Sequence, residues 1–184
     1  MSQTTTQMTV EDYIKLPHTT QPTELINGEI IVSPAPLHRH QRIVMRLIQA
    51  LLPLVPEGGE LVTSPDDVYL DRLNAIQPDV FLIMGEDSLC KLGENGYLYG
   101  APDLVCEILS PSTAARDKLV KFSLYEKHGV REYWLIDPAN EWIEIFTRQD
   151  DKLVLSGVYY QTVFVSPLLQ HEIDTHKLFL GVNA

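Results

Sequence analysis

Apolar residues are distributed along the chain in short runs typical of strands and in one long run with helical spacing. Two of the short runs, residues 77–84 and 101–110, are rich in β-branched residues, and each contains a proline followed by an aspartate near its start. Runs of this length that are bounded by turn or helix-start residues are typical of buried inner strands. The pattern therefore predicts two adjacent inner strands in the middle of a sheet.

Several further elements are predicted before the first inner strand. Thr9 can cap a short helix, and the Asn-Gly pair within residues 23–32 predicts a β-hairpin. Residues 37–55 carry apolar side chains at helical spacing, which indicates a long amphipathic helix. Residues 60–63 and 67–70 have strand-like composition, and we expect an antiparallel meander that leads into the first inner strand.

The rest of the chain alternates between helix and strand signals. Residues 85–100 are rich in glycine and charge, which favours an irregular connection. Ser112 or Thr113 can cap a helix that ends at His128, and residues 131–146 predict a second hairpin, followed by further strands and a tail that packs back on the body. This mixture predicts an α+β fold, a mixed β-sheet flanked by helices with an N-terminal hairpin.

The composition of the chain predicts the number of domains and the cellular location of the protein. The 184 residues are 45% hydrophobic and 21% charged with no compositional break, which predicts one domain over residues 8–180 after a flexible N-terminus at residues 1–7. No apolar run approaches the roughly 20 residues of a membrane helix, and a signal peptide pattern is absent, so we expect a cytoplasmic protein without a membrane segment. Cys90 and Cys106 match neither a zinc motif nor a disulfide framework, so both are expected to be structural.

Acidic side chains within the predicted inner strands are the main candidates for chemistry. Alternation along a strand places Asp103 and Glu107 on one face, and Asp79 can converge with Glu107 if the two strands are neighbours. Two carboxylates at one point suit Mg²⁺ or Mn²⁺. The alternative is that these acids meet solvent or an arginine at strand ends, and for Asp103 this alternative is favoured.

Basic residues on the long helix are the candidates for nucleic-acid binding. Arg39, Arg42 and Arg46 share the face opposite the apolar stripe, and His40 lies beside the stripe. A phosphate-contacting surface and an ordinary solvated helix face both explain this pattern. The net charge of −11 argues against broad phosphate contact, although a metal site concentrates acids where a cation neutralises them.

Particular motifs resemble a known family. Pro78-Asp79 followed by Glu107 is similar to the Pro-Asp…(Asp/Glu)-x-Lys signature of restriction-endonuclease-like nucleases. From about Met8 to Phe179 the chain resembles the Uma family of endonucleases. The matching blocks are Glu-Leu-Ile-Asn-Gly-Glu at 24–29, His40, Gln-Pro-Asp-Val at 77–80, Ala-Pro-Asp-Leu-Val-Cys-Glu-Ile-Leu-Ser-Pro-Ser-Thr at 101–113 and Gly-Val-Arg-Glu-Tyr-Trp at 129–134. The resemblance implies a mixed sheet, a Mg²⁺ or Mn²⁺ ion and hydrolysis of nucleic-acid phosphodiester bonds, in DNA by preference.

The signature lysine is missing from its usual place, which is occupied by Leu109. The family instead carries a lysine on the following helix, in an Asp-x-x-x-Lys-x-x-x-Tyr pattern that Asp117, Lys121 and Tyr125 match. Lys121 is therefore the expected substitute, with Lys118 as the second choice. Under this interpretation, Lys121→Ala removes cleavage and leaves metal binding and the fold intact, whereas Lys118→Ala does much less.

The resemblance also implies the other roles in the site. Asp79 and Glu107, with the backbone carbonyl of Ile108, are the implied metal ligands. Glu24 is an implied further catalytic residue, as an extra ligand or a holder of water, although an exposed strand acid is its simpler interpretation. His40 is expected either to support a metal ligand from behind or to contact phosphate, with a partly buried, hydrogen-bonded histidine as the alternative.

Two competing functions remain open at this stage. The lysine that is missing at position 109 and the net negative charge are also compatible with a protein that keeps the nuclease fold but acts as a binding or regulatory module without cleavage. A serine hydrolase based on Ser110 is disfavoured, because the Gly-x-Ser-x-Gly elbow is absent. The sequence leaves the oligomeric state open, with a homodimer among the alternatives.

Overall fold

The computed structural model describes residues 7–17, 19–111 and 114–182. Its strands are β1 Thr23–Ile26, β2 Glu29–Val32, β3 Glu60–Thr63, β4 Val68–Asp71, β5 Asn74–Ile76, β6 Val80–Ile83, β7 Lys91–Leu92, β8 Leu98–Tyr99, β9 Leu104–Ile108, β10 Glu132–Asp137, β11 Trp142–Gln149, β12 Lys152–Tyr160, β13 Val163–Val165 and β14 Glu172–Asp174. Its helices are α1 Val10–Tyr13, α2 His38–Leu51 with a 3₁₀ turn at Leu52–Leu54, α3 Ala114–Arg116, a π-helical turn at Asp117–Lys121, α4 Phe122–His128 and α5 Thr175–Phe179.

The strands form two large sheets and one small one. The first sheet has the order β2-β1-β5-β4-β8-β7, the second has the order β12-β11-β10-β9-β6-β3, and β13 pairs with β14. The second sheet is mixed, because β9 runs parallel to β10 and antiparallel to β6. The predicted α+β fold and the two adjacent inner strands, β6 and β9, are thus confirmed.

The N-terminal hairpin forms where the Asn-Gly pair predicts it. Asn27 and Gly28 have φ angles of 52° and 77°, and positive φ at both central turn positions defines the type I′ turn that matches the twist of the flanking strands. Thr9 caps α1 by accepting a hydrogen bond from the backbone N–H of Asp12. Residues 1–6 of the predicted flexible N-terminus lie outside the described residues, and Gln7 hydrogen bonds through its side chain to the Asn27 carbonyl.

The predicted meander before the first inner strand is wrong. β3 pairs with β6 in the second sheet, whereas β4 and β5 pair with each other in the first sheet. An apolar run identifies a strand but not its partner, because both sheets offer a buried face with the same periodicity. The connection 85–100 also contains β7 and β8, which extend the first sheet.

Apolar layers cover both faces of the second sheet. One layer joins this sheet to α2 and α5, and the other fills the space between the sheets and α4. Along β9, Cys106 and Ile108 face the first layer, whereas Val105 faces the second. Alternation therefore aims Glu107 into the second layer, towards β1 and the helix that follows β9.

The helix after β9 contains a wide turn. The Phe122 N–H bonds to the Asp117 carbonyl, an i→i+5 contact that makes this turn π-helical. The Tyr133 hydroxyl donates to the same carbonyl at 3.2 Å. Gly129, with φ of 99°, ends the helix as predicted. The predicted caps Ser112 and Thr113 lie outside the described residues.

The C-terminal tail packs on α2, as expected, with Leu178 and Phe179 buried in the first layer. Among the helices in the described residues, none is long and apolar enough to cross a membrane.

Candidate active site

A buried lysine lies at the centre of a cluster of carboxylates. The Lys121 Nζ atom is 2.8 Å from Glu24 Oε1 and 3.0 Å from Glu107 Oε1, and Asp117 Oδ1 is 3.9 Å away. These four residues are between 2% and 5% exposed. Such charges are stable inside a protein only when they are paired and hydrogen bonded, so the cluster is a tightly constrained electrostatic unit.

Three separate elements deliver the charged groups of this unit. Glu24 comes from β1, Glu107 from β9 and Lys121 from the π-helical turn. Further donors fix the two carboxylates: the Gln77 backbone N–H donates to Glu24 Oε1 at 2.9 Å, and the Tyr125 hydroxyl donates to Glu107 Oε1. The first sheet, the second sheet and the helix therefore meet at Lys121.

Asp79 lies next to this unit. The register pairs Val80 with Cys106 across antiparallel strands, so one further step places Asp79 opposite Glu107. Asp79 Oδ2 accepts a hydrogen bond from the Ile108 backbone N–H at 2.7 Å. The structure thus brings the two predicted metal ligands together.

His40 orients the Asp79 carboxylate from α2. His40 Nε2 lies 3.0 Å from Asp79 Oδ2, and because a carboxylate accepts hydrogen bonds, this nitrogen carries the proton. The other ring nitrogen, Nδ1, is buried and has no hydrogen-bond partner among the described residues. The contact with Asp79 therefore sets the orientation of the ring.

Arg116 also belongs to the site, although no sequence motif identifies it. Its Nη1 atom lies 3.3 Å from Glu24 Oε2 and 3.0 Å from Ser33 Oγ. The Arg116 side chain is 18% exposed, compared with 5% for Lys121. It thus provides a second cation, closer to solvent than Lys121.

The charges shift the pKa values of the buried groups. Burial raises the pKa of Glu107 well above its ordinary value, although the Lys121 ammonium opposes the shift, and the nearby carboxylates, including Asp79, add to it. Burial alone would lower the pKa of Lys121, but Glu107, Glu24 and Asp117 raise it above its ordinary value. Lys121 therefore remains protonated at physiological pH.

The cluster lines a cavity of about 720 Å³. This volume falls within the range of about 300–1,000 Å³ typical of ligand pockets. Site residues on its wall are Glu24, Ser33, His40, Asp79, Glu107, Ile108, Arg116, Asp117 and Lys121. The predicted catalytic residues thus face a space that a substrate can enter.

The other candidate residues lie elsewhere. Arg39, Arg42 and Arg46 are not among the described residues that line the cavity, and Arg46 Nη1 donates to the Lys177 carbonyl of α5 at 2.9 Å. The role of these arginines in nucleic-acid binding stays a prediction. The Lys118 side chain is exposed, and its Nζ atom is 5.6 Å from the centroid of the Trp142 ring.

Asp103 pairs with an arginine near the start of its strand, as the favoured alternative for this residue predicted. Its Oδ1 atom lies 3.2 Å from Arg131 Nη1, and its Oδ2 atom accepts from the Met84 backbone N–H at 2.8 Å.

The donor set fits an ion of the Mg²⁺ type. Among the described residues, no three His, Cys, Asp or Glu side chains are grouped so that they could hold a metal ion, but Mg²⁺ requires only one or two carboxylates and keeps several waters. The hydrogen bonds described above use Glu107 Oε1 and Asp79 Oδ2, so the second oxygen of each carboxylate takes no part in them.

The mixed sheet, with an aspartate and a glutamate on neighbouring inner strands and a lysine beside them, defines a restriction-endonuclease-like protein. The family model Uma2, described as "putative restriction endonuclease", matches residues 10–176. The chain belongs to the Uma2 family.

Two individual proteins are similar to this chain over most of its length. The chain is 30% identical to the uncharacterized protein sll1609 of Synechocystis sp. over 155 residues, which cover 81% of this chain and 85% of the relative. A crystal structure of a "putative nuclease belonging to DUF820" from Anabaena variabilis matches with a TM-score of 0.74 and 23% identity, covering 95% of this chain and 99% of the other. At that identity the match shows the fold alone.

Proposed function

We propose that this protein is a metal-dependent endonuclease that hydrolyses phosphodiester bonds in nucleic acid, by preference DNA. The observation that carries the proposal is the Lys121 ammonium held between Glu24 and Glu107 at the wall of the cavity. Three separate elements converge to place these buried charges beside an open space. A structural ion pair alone does not require that space.

Asp79 and Glu107, with the Ile108 carbonyl as a further ligand, would hold Mg²⁺ or Mn²⁺ in the proposed site. The chemistry that such an ion would supply is a water of lowered pKa and stabilisation of charge on the phosphate. When all groups are ionised, the site has four negative charges, from Glu24, Asp79, Glu107 and Asp117, and two positive charges, from Lys121 and Arg116. The net charge of the site is then −2. A divalent cation balances this excess.

Lys121 acts in this proposal as a fixed positive charge. The surrounding carboxylates raise its pKa and so favour its charged form, which makes it better suited to act as a cation than to take a proton from the attacking water. Its role is to stabilise negative charge in the transition state, in a buried site where such a charge is most effective. It therefore replaces the electrostatic function of the lysine absent at position 109.

Arg116 and His40 supply the surrounding contacts. Arg116 is the more exposed cation, and a guanidinium suits phosphate oxygens because it donates in a planar fork. His40 fixes one oxygen of Asp79 and leaves the other free of that contact. Glu24 acts in this proposal by holding Lys121 and Arg116 in place.

The same ion pairs favour a second candidate function. Lys121 already compensates Glu24 and Glu107, and Glu107 with a raised pKa can also hold a proton. A site stable without a metal ion suits a nuclease fold that binds or regulates without cleaving.

A cleavage assay separates these functions. Wild-type protein is incubated with single- and double-stranded DNA and RNA in Mg²⁺, in Mn²⁺ and in EDTA, and Glu107→Gln is compared with Glu60→Gln, a control at an exposed acid on β3. We expect metal-dependent cleavage that Glu107→Gln reduces at least about 100-fold and Glu60→Gln leaves unchanged. Folded protein that cleaves no substrate in either metal would support the binding module.

A further inference from the structure

The cavity is lined by a group of tyrosines as well as by the acid cluster. These tyrosines are Tyr13, Tyr69 and Tyr97. The rings of Tyr69 and Tyr97 meet edge to face, with centroids 5.2 Å apart, and the Tyr13 hydroxyl donates to the Thr23 carbonyl at 2.7 Å. These contacts hold the rings in place, and Tyr13 and Tyr97 remain partly exposed. Fixed aromatic rings beside a polar site are the usual surface on which unpaired bases stack.

A polar edge adjoins the tyrosines. Gln77 Nε2 donates to Asp67 Oδ1 at 3.0 Å, and both residues line the cavity. Amide and carboxylate groups of this kind can hydrogen bond the edge of a base that has left its stack. The tyrosine rings and the polar groups therefore offer the two kinds of contact that hold a nucleobase, which are stacking against its face and hydrogen bonds to its edge.

The charge distribution is unsuited to a double helix. Five described residues on the cavity wall are acidic, and only Arg116 and Lys121 are permanently basic. Specific duplex binding takes many phosphate contacts spread over about 1,000–2,500 Å² of protein surface. The chain has a net charge of −11, and the arginines of α2 lie outside the cavity wall.

The depth and walls of the cavity add a steric argument. Glu107 is 2% exposed, so a phosphate must enter the cavity to reach it. Pro17, Pro22, Pro34 and Pro36 are among the residues that line the cavity, and each proline fixes its own backbone φ angle. A space of about 720 Å³ is nucleotide-sized, which favours entry of a single strand over entry of a duplex.

We propose that this cavity binds single-stranded nucleic acid, with one unpaired base against Tyr13 and Tyr97 and the adjoining phosphate at Arg116 and the carboxylate cluster. This inference rests on the proposed function and specifies its substrate class. DNA and RNA single strands share the recognised chemistry, so the experiment includes both.

Binding of labelled oligonucleotides tests the proposal on the full chain. A single-stranded DNA, its RNA counterpart and the corresponding DNA duplex are titrated with wild-type protein at one ionic strength, with EDTA and with Ca²⁺, and binding is followed by fluorescence anisotropy. We expect a single strand to bind at least about tenfold more tightly than the duplex, because one stacked base alone contributes about that factor. The single strand that binds more tightly, DNA or RNA, is the polymer that the cavity prefers.

Two tyrosines that are close in sequence provide a matched pair of variants. Tyr97→Ala should weaken single-strand binding by about 5- to 150-fold, whereas Tyr99→Ala should not, because Tyr99 does not line the cavity. If Tyr97→Ala fails to fold, Tyr97→Leu keeps apolar volume and removes the ring. An oligonucleotide carrying 2-aminopurine also reports base stacking on the wild-type protein directly.

Duplex binding as tight as single-strand binding, or full binding by a folded Tyr97 variant, would overturn the inference. Cleavage in Mg²⁺ is measured in parallel to separate it from the proposed function. Single-strand preference without cleavage would refute hydrolysis and leave the substrate inference standing. Equal cleavage of duplex and single strand would refute the single-strand inference and leave the proposed hydrolysis standing.

Discussion

The most informative perturbation of the site is Lys121→Met, which keeps an unbranched apolar stem and removes the charge. Glu24 and Glu107 would then remain buried without the ammonium that lies 2.8 Å and 3.0 Å from them. Breaking a buried ion pair by removing one partner costs about 3–5 kcal/mol. For a chain of this size each kcal/mol lowers the melting temperature by about 2–4 °C, so we expect a decrease of roughly 6–20 °C.

Calorimetry and urea unfolding measure this effect, with Lys118→Met as the control. Lys118 lies in the same π-helical turn but is exposed, with its ammonium over the Trp142 ring, and such a contact contributes about 0.5–1 kcal/mol. Mg²⁺ should stabilise Lys121→Met more than it stabilises the wild type, because the variant lacks a compensating cation. A decrease of less than about 2 °C for Lys121→Met would refute the electrostatic argument. Because Lys121 is buried, we expect its substitution to lower the stability of the fold, and that the fold stays intact below the lowered melting temperature remains a prediction.

Three further outcomes follow from the structure. Arg116→Lys should raise KM about tenfold and hardly change the melting temperature, because lysine keeps the charge but not the planar fork; an unchanged KM would exclude a phosphate contact. Because burial raises the pKa of Glu107, protons compete with the metal ion, so Mg²⁺ affinity should fall as pH falls and calorimetry should detect proton release on binding; pH-independent affinity would contradict this. Glu132→Gln should cost about 1–3 kcal/mol, since both carboxylate oxygens accept hydrogen bonds, from the Trp134 ring and the Leu168 N–H, and an amide opposes a donor to one of them; an unchanged urea midpoint would count against it.

Elements specified by local sequence were predictable. The Asn-Gly turn determines the N-terminal hairpin through its positive φ angles, and the apolar spacing of residues 37–55 predicts α2. The proximity of Asp79 and Glu107 followed from two inner-strand patterns. Strand partners were not predictable in the same way, because pairing between β3 and β6 depends on contacts distant in the chain.

Arg116 was missed for a geometric reason. Residues five apart on an α-helix differ by about 140° in direction, which separates Arg116 from Lys121. The π-helical turn between them has i→i+5 hydrogen bonding, which brings residues five apart closer in direction, and both side chains reach Glu24. A sequence pattern based on 3.6 residues per turn carries no signal for this wider turn.

The position of a divalent ion tests the central claim most directly. Crystals of the wild-type protein grown with Mn²⁺ would be measured at a wavelength at which manganese scatters anomalously. We expect one anomalous peak about 2.1 Å from an oxygen of Asp79 and from an oxygen of Glu107, and no such peak in crystals of Glu107→Gln. Well-ordered Asp79 and Glu107 side chains without a peak between them, or a peak held by other residues, would contradict it.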